Sequence, residues 1–200
     1  MALALTEEQE ILQRTAREFV QGKSSFKRIR TLRDEADGEG FSRELWAEMG
    51  RLGWLGIVVP EAYGGAGLGW VDLMVVLEEL GRGLIPEPIV GTLLLGTTAL
   101  LLGGSEAQKA AHLPSLVAGE RYLALAYQEP ASRYAHHHVG ARAERSGSGW
   151  TLRGEKTHGE GRGEGEEQDG RVQDGQDVCA LARLGVQHAV TPGTFRRRSA

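Results

Sequence analysis

The hydrophobic pattern of this chain changes its period close to Tyr122. Before that residue, apolar side chains recur at every third or fourth position, which is the spacing of amphipathic helices. Between residues 122 and 152 apolar and polar residues alternate, as in strands with one buried face. The order of these patterns predicts an α+β fold: an amino-terminal helical bundle, then a partial antiparallel β domain, then a disordered tail.

Five helices are predicted before residue 118, because five stretches combine a helical period with a start or stop signal. Their expected caps or first residues are Thr6, Ser42, Asp72, Ile89 and Ser105. The basic passage 23–40 has few apolar residues, so we predict a loop there with a short helical turn around residues 29–33. Pro114 is expected to end or kink the fifth helix, since proline lacks the amide proton that an interior position donates.

Three strands are predicted after the helices, at residues 123–127, at 139–143 and from 150 towards 157. The sequence SGSG at 146–149 provides the turn between the second and third strands. Three strands alone bury one face, so such a sheet needs further strands or the helical bundle behind it.

The glycine-rich segment 64–69 could indicate a nucleotide-binding loop or a tight structural turn. A dinucleotide fingerprint, G-x-G-x-x-G, would require glycine at position 70 or 72, where the chain has Trp70 and Asp72. A parallel strand before the loop is also missing from the pattern. We therefore interpret the segment as a structural turn between helices.

Composition argues against two classes of partner. The formal net charge of −4 is spread over both signs, so the chain lacks the basic surface of a nucleic-acid-binding protein. The longest apolar run, 92–102, is much shorter than the roughly 20 residues of a membrane helix. The amino terminus lacks a signal-peptide pattern, and Cys179 is the single cysteine. We therefore predict a cytoplasmic protein.

Several short patterns occur in one order between residues 5 and 158: LTEEQ, GWLGIVVPEAYGGAGLG, EELGRG, QKAAHLPSLVAGE, QEP, RAER and GWTLRGEKT. In this order they resemble the amino-terminal part of the acyl-CoA dehydrogenases. The resemblance implies a helical domain at 1–118, part of a middle β domain at 119–158 and a low-complexity, disordered tail at 159–200. It also implies FAD as cofactor, an acyl-CoA thioester as substrate and a separate electron acceptor. In that family a glutamate base takes the α proton while the flavin takes the β hydrogen as hydride.

The same resemblance assigns four residues to the cofactor site. Tyr127 and Gln128 occupy the positions from which the family approaches the flavin ring, Ser132 lies in the following loop, and His158 stands where members have an aromatic residue beside the flavin. The loop 131–135 reads ASRYA in place of the family's Gly-Ala-Gly-Ser-Asp, which removes glycines that allow close backbone approach to a pyrophosphate. Glu129 is expected to be structural, so no catalytic residue is assigned.

From residue 159 the composition changes to Gly, Glu, Asp and Arg, and the low apolar content predicts disorder. Two hypotheses account for the change: a shift of the reading frame near codon 158, or a genuine acidic tail. Under both, we expect the carboxy-terminal domain that provides the family's base to be missing and the chain to be inactive alone.

Two alternatives to a flavin enzyme stay open: a non-catalytic helical interaction module, and a non-functional truncated product with an exposed sheet edge. A homo-oligomer also stays open. No metal site is predicted, because in a strand at most His136 and His138 of the three consecutive histidines would point to one side. Glu78 and Glu79 point about 100° apart on a helix, so we expect a solvated face rather than an acid/base pair.

Overall fold

The computed structural model describes residues 4–34, 40–125, 129, 131, 135, 138–146, 149–153 and 170–172. Its helices are α1 (Glu7–Lys23), α2 (Phe26–Asp34), α3 (Arg43–Arg51), α4 (Trp70–Arg82), a π-helical segment (Val90–Thr97), α5 (Thr98–Gly103) and α6 (Glu106–Val117). Two short 3-10 turns, Trp54–Gly56 and Glu61–Tyr63, lie between α3 and α4. The predicted helical amino-terminal domain is confirmed by these elements.

Helices α1 and α6 begin at the two capping boxes that the sequence predicts. The Thr6 hydroxyl accepts from the Gln9 amide at 3.3 Å, and the Gln9 side chain accepts from the Thr6 amide at 3.1 Å. Ser105 and Gln108 repeat this exchange at 3.3 and 2.9 Å. Each box satisfies main-chain donors that a helix start otherwise leaves without partners.

The prediction of a loop with only a short turn at 29–33 was wrong, because α2 extends over nine residues. Its start is capped by the Ser25 hydroxyl, which accepts from the Arg28 amide at 3.1 Å. Arg28 also forms an ion pair with Glu87, a glutamate with a fully buried side chain. This contact with a distant loop stabilises a helix that has no buried apolar side chain of its own.

One helix boundary also differs from the prediction, and at Pro114 the structure excludes one of the two predicted alternatives, an end of the helix. Helix α4 begins at Trp70, with Gly69 as its cap, and Asp72 lies inside the first turn, where its carboxylate accepts from the Gly69 amide at 2.9 Å. A carboxylate three residues into a helix can serve the cap from within, so Asp72 was misplaced as the cap itself. Helix α6 continues through Pro114 to Val117, because the Ala118 amide closes the last turn on the Pro114 carbonyl at 3.0 Å.

The apolar run that we expected to form one regular helix from Ile89 is instead π-helical over Val90–Thr97 and α-helical from Thr98. Gly96 lies in the π-helical segment, at a point where an added Cβ would come within 2.6 Å of the Leu123 Cβ. The contact with the chain beyond α6 therefore requires a residue without a side chain at position 96.

An apolar core joins these elements. It includes the edge-to-face pair of Phe19 and Trp54, whose ring centroids are 4.9 Å apart. Burial of each large apolar side chain contributes about 1.5–3 kcal/mol. The largest fully buried side chains are Trp46, Met49, Leu55, Leu73, Leu93, Leu113 and Leu116.

Two polar contacts link α1 to α4 beside this core. Arg17 donates two hydrogen bonds to Glu79, at 3.2 and 2.7 Å, and the Gln9 side chain donates from Nε2 to Asp72 at 2.9 Å. The expectation of a solvated face holds for Glu78, whose side chain is 54% exposed, but is wrong for Glu79, whose side chain is 3% exposed. The bundle places Arg17 of α1 over that position, which the helical period of α4 alone does not reveal.

The described strands are β1 (Arg142–Ser146), β2 (Gly149–Arg153) and β3 (Gly170–Val172), in the order β1-β2-β3 with both pairs antiparallel. Ser146 is paired with Gly149, so β1 and β2 pair on either side of the position where the sequence predicts a turn. β1 begins three residues later than the predicted strand at 139–143. β3 lies within the range 159–200 that was expected to be disordered, and the remainder of that range lies outside the described residues.

Within the described part of the chain, no helix has both the length and the apolar character needed to cross a membrane.

Candidate functional site

The chain leaves α6 through an extended stretch, 121–125, which leads towards the Gln-Glu-Pro motif. We call it the connecting segment. Trp46 of α3 donates from its indole nitrogen to the Arg121 carbonyl at 3.1 Å. The Tyr122 ring packs edge-to-face on Phe41, with 5.4 Å between centroids, and the Arg43 guanidinium lies 5.6 Å from the centre of the same ring. These contacts hold the connecting segment against α3 and the residues just before it.

Thr92 of the π-helical segment binds the main chain of Leu123, which lies 31 residues later in the sequence. The Thr92 hydroxyl donates to the Leu123 carbonyl at 3.0 Å and accepts from the Leu123 amide at 3.3 Å. Thr92 is completely buried and Leu123 nearly so. Both main-chain groups of Leu123 are therefore satisfied by one side chain, which anchors the connecting segment to the apolar helix.

Glu129 follows four residues after Leu125 and is also buried. One carboxylate oxygen accepts from the Gly140 amide at 2.5 Å, and the other accepts from the Ala141 amide at 3.0 Å. Both oxygens are thus bound to main-chain donors immediately before β1. This arrangement ties Glu129 to the start of the strand pair, and it agrees with a structural role for this residue.

The four predicted cofactor residues, Tyr127, Gln128, Ser132 and His158, lie outside the described residues, so their assignment stays a prediction. The structure does describe positions close to them in sequence: Leu125, Glu129 and Ala131. Of these, Leu125 takes part in a β-bridge and Glu129 makes the contacts given above.

The glycine-rich loop 64–69 is a structural turn, as predicted. The amides of Ala66, Gly67 and Leu68 donate to carbonyls of residues 56, 59 and 57, at 2.9, 2.9 and 2.8 Å. These amides are consequently engaged within the protein and do not form the cradle of free donors that binds a phosphate.

The described carboxylates with shifted pKa values belong to the helix contacts. Hydrogen bonds from Arg17 hold the pKa of Glu79 below its ordinary value. The Gln9 side chain, followed by the Gly69 amide, lowers the pKa of Asp72 in the same direction. At the surface, Tyr63 donates to Glu106, which raises the pKa of the tyrosine and lowers that of the glutamate. All three contacts favour the ionised carboxylate.

No metal centre is found among the described residues. No group of three or more His, Cys, Asp or Glu residues is placed there to hold a metal ion, while His136 and His137 lie outside that part of the chain. A groove of about 450 Å³ runs along α2 and is lined by Lys27, Arg30, Thr31 and Asp34. These residues are polar or charged and are all exposed, whereas the lining of a cofactor site is usually formed by hydrophobic and aromatic side chains.

The comparisons with known proteins decide the family. Residues 6–120, more than half of the chain, match the family model for the acyl-CoA dehydrogenase amino-terminal domain. The chain belongs to the acyl-CoA dehydrogenase family. The resemblance drawn from the short sequence patterns is thereby confirmed.

Relatives in the acyl-CoA dehydrogenase family match over a similar range. The mitochondrial isovaleryl-CoA dehydrogenase of Pongo abelii is 35% identical over 154 residues, which is 76% of this chain and 36% of the relative. Acyl-CoA dehydrogenase FadE12 of Mycobacterium tuberculosis is 36% identical over 124 residues, covering 62% of this chain and 32% of the relative. The chain thus spans about a third of the length of the curated relatives it matches.

Solved structures of the family share the fold. An acyl-CoA dehydrogenase from Bacillus anthracis complexed with FAD superposes with a TM-score of 0.66 at 29% identity, over 76% of this chain and 26% of that chain. A glutaryl-coenzyme A dehydrogenase in complex with glutaryl-CoA gives 0.64 at 33% identity, over 78% of this chain and 40% of that chain.

The contact of Thr92 with the connecting segment was not predicted from the sequence. The signal that could have found it is a hydroxyl inside the apolar run that reads TLLLGTTALLL. A buried hydroxyl must find a hydrogen-bond partner or lose the free energy of desolvation, so its presence there indicates a polar contact. The identity of that partner, Leu123, depends on how the chain returns past the helix.

Proposed function

We propose that this chain forms one wall of the FAD site of a flavin-dependent acyl-CoA dehydrogenase of the cytoplasm. The reaction is α,β-dehydrogenation of an acyl-CoA thioester, with a separate electron acceptor that reoxidises the flavin. The observation that carries the proposal is the connecting segment, which is anchored to the helical bundle at Arg121 and Leu123 and runs directly into the Gln-Glu-Pro motif.

The residues proposed to contact FAD have side chains suited to it. Gln128 can donate and accept hydrogen bonds with the polar edge of the flavin ring, and Ser132 can donate to a phosphate oxygen. Tyr127 and His158 offer flat rings that can pack beside the flavin. When bound, FAD supplies the acceptor for a hydride from the β carbon. Support for FAD in the family comes from the Bacillus anthracis relative, which is an acyl-CoA dehydrogenase complexed with FAD.

In this proposal the described residues position the cofactor wall and do not exchange protons with the substrate. Glu129 has both carboxylate oxygens bound to main-chain amides, so it is not offered as the base. Glu79 and Glu87 are engaged by Arg17 and Arg28 respectively. The chain's own contribution is to orient Tyr127 and Gln128 and to cover the flavin with a buried scaffold.

The proposal is tested by titrating FAD into the purified full chain while following the flavin absorption band and its fluorescence. We expect binding by the wild-type chain. Gln128→Ala should weaken it up to about tenfold, the value of one lost hydrogen bond. His138→Ala is the matched control, because His138 lies in the same region and is exposed, and it should leave the affinity unchanged. A folded wild-type chain that takes up no FAD would refute the proposal.

A second candidate, a non-catalytic helical interaction module, is favoured by apolar side chains exposed around the start of α4. Leu68, Trp70 and Met74 are each about half exposed, and Trp70 and Met74 lie one helical turn apart. Exposed apolar groups of this kind are common at protein contacts. The FAD titration separates the two candidates, because an interaction module would remain colourless and folded in the presence of the cofactor.

A further inference from the structure

The contact between Thr92 and Leu123 joins two parts of the chain in an unusual way. A residue in a strand presents its amide and its carbonyl to the same side, where a neighbouring strand normally binds both. At Leu123 the Thr92 hydroxyl binds both groups instead, at 3.0 and 3.3 Å. A helix side chain therefore replaces the neighbouring strand at this one residue.

This contact selects a single register for the connecting segment. Moving an extended chain by one residue turns its main-chain groups and its side chains to the opposite sides. After such a shift the Thr92 hydroxyl would face a residue whose amide and carbonyl point away, and it would lose both bonds. Gly96 restricts the position further, since the Leu123 side chain and main chain lie where a Cβ at residue 96 would be.

We propose that Thr92 is a positioning residue that fixes the register of the connecting segment on the helical bundle, and that FAD binding through Gln128 depends on this register. Leu123 precedes Tyr127 by four residues, so an error in its register is passed along a short stretch of chain. The inference rests on the proposed function, because the effect of the register on Gln128 requires that the chain bind FAD.

Thr97 provides a matched control within the same π-helical segment. It is as fully buried as Thr92, but its hydroxyl has no hydrogen-bond partner in the part of the chain that the structure describes. Replacement of either threonine by valine preserves the shape of the side chain and removes the hydroxyl. The two variants therefore differ in the Leu123 contact and are otherwise alike.

The first measurement is hydrogen exchange at the Leu123 amide in the full chain without cofactor. We expect Thr92→Val to accelerate exchange about tenfold or more, because this amide loses its acceptor. Thr92→Ser retains a hydroxyl and should restore protection, while Thr97→Val should match the wild type. If Thr92→Val does not fold, Thr92→Cys replaces it, since a thiol is a weaker donor and acceptor. Unchanged protection at Leu123 in the variant would overturn the register assignment.

The second measurement tests whether the register acts on the flavin through Gln128. We expect Thr92→Val to weaken FAD binding about tenfold and to have little further effect when Gln128→Ala is already present, as coupled residues behave in a double-mutant cycle. Additive losses, or an unchanged affinity in Thr92→Val, would overturn the positioning role. If the wild-type chain takes up no FAD, the proposed function and the dependence of FAD binding on Thr92 fail together. The register assignment is then decided by the exchange of Leu123 alone.

Discussion

Glu78 and Glu79 are neighbours in sequence, yet the tertiary structure gives them different environments. Glu78 is exposed and pairs with Arg82 one turn later in α4, which is a local contact. Glu79 is buried and accepts two hydrogen bonds from Arg17 of α1. A buried carboxylate depends on such bonds, because water does not compensate for their loss.

Glu79→Gln is expected to lower the free energy of unfolding by about 1–3 kcal/mol, the range for a buried hydrogen-bonded group that loses its partner geometry. Arg17 is half exposed and can regain water, so the effect falls short of that for a fully buried ion pair. Urea unfolding at neutral pH measures the difference. Glu78→Gln is the control and should leave the urea midpoint unchanged. Equal destabilisation by both substitutions would contradict the structural account.

Acid sensitivity follows from the same contacts. The pKa values of Asp72 and Glu79 lie below their ordinary values of 3.8 and 4.5 in the folded protein. The unfolded chain therefore binds more protons in acid, so the stabilisation is complete above the ordinary pKa values and is lost as the pH falls through the lower, folded-state values.

We expect the free energy of unfolding to fall when the pH is lowered from about 5 to about 3, with a shallower slope in Asp72→Asn and in Glu79→Gln. Denaturant unfolding over a series of pH values measures the slopes. A slope in either variant that equals the wild-type slope would show that the corresponding carboxylate does not contribute to the pH dependence.

At the scale of elements, the apolar stretch from Ile89 to Gly103 does more than fill the core. Its π-helical part presents Thr92 and Gly96 to the connecting segment, one through hydrogen bonds and the other through close approach. Single π-turns inside helices are frequent at functional sites, where they change the direction of side chains. Here the segment lies against the part of the chain that enters the proposed cofactor wall.

The close approach at Gly96 gives a paired prediction. Gly96→Ala should destabilise the protein by about 1–3 kcal/mol, because the new Cβ would lie 2.6 Å from the Leu123 Cβ in a packed site. Gly81→Ala, in α4, meets nothing within 4 Å and should stabilise it by about 0.5–1 kcal/mol through higher helix propensity. Thermal and urea unfolding measure both variants. Stabilisation by Gly96→Ala would mean that the connecting segment does not pack on residue 96.

At the scale of the whole molecule, the family comparison and the structure agree on the helical domain. The family match ends at residue 120, where the connecting segment begins. Just beyond it, Trp46, Thr92 and Glu129 hold the chain at Arg121, Leu123 and residues 140–141. These anchors explain how the helical domain holds the chain that follows it.

Much of the helical domain could be predicted from the sequence because its signals are local. The capping boxes at Thr6 and Ser105 join residues three positions apart, so the chain carries both partners in one short pattern. The family resemblance was also readable, since its patterns are short and keep their order. Two details of these local predictions were wrong: the start of α4 was misplaced, and the extent of α2 was missed.

The tertiary structure alone decided which distant residues meet. Arg17 and Glu79 are 62 positions apart, and Thr92 and Leu123 are 31 apart. No local pattern specifies such a pair, because the period of a helix shows which face is apolar but not which partner covers it. In this member of the acyl-CoA dehydrogenase family the sequence by itself determined most of the helices, the caps of α1, α3 and α6, and the family. The tertiary structure decided where the buried polar groups find their hydrogen-bond partners. These partners come from the packing of α1 on α4 and of the connecting segment on residues 92 and 96, and such contacts exist only once the chain has folded.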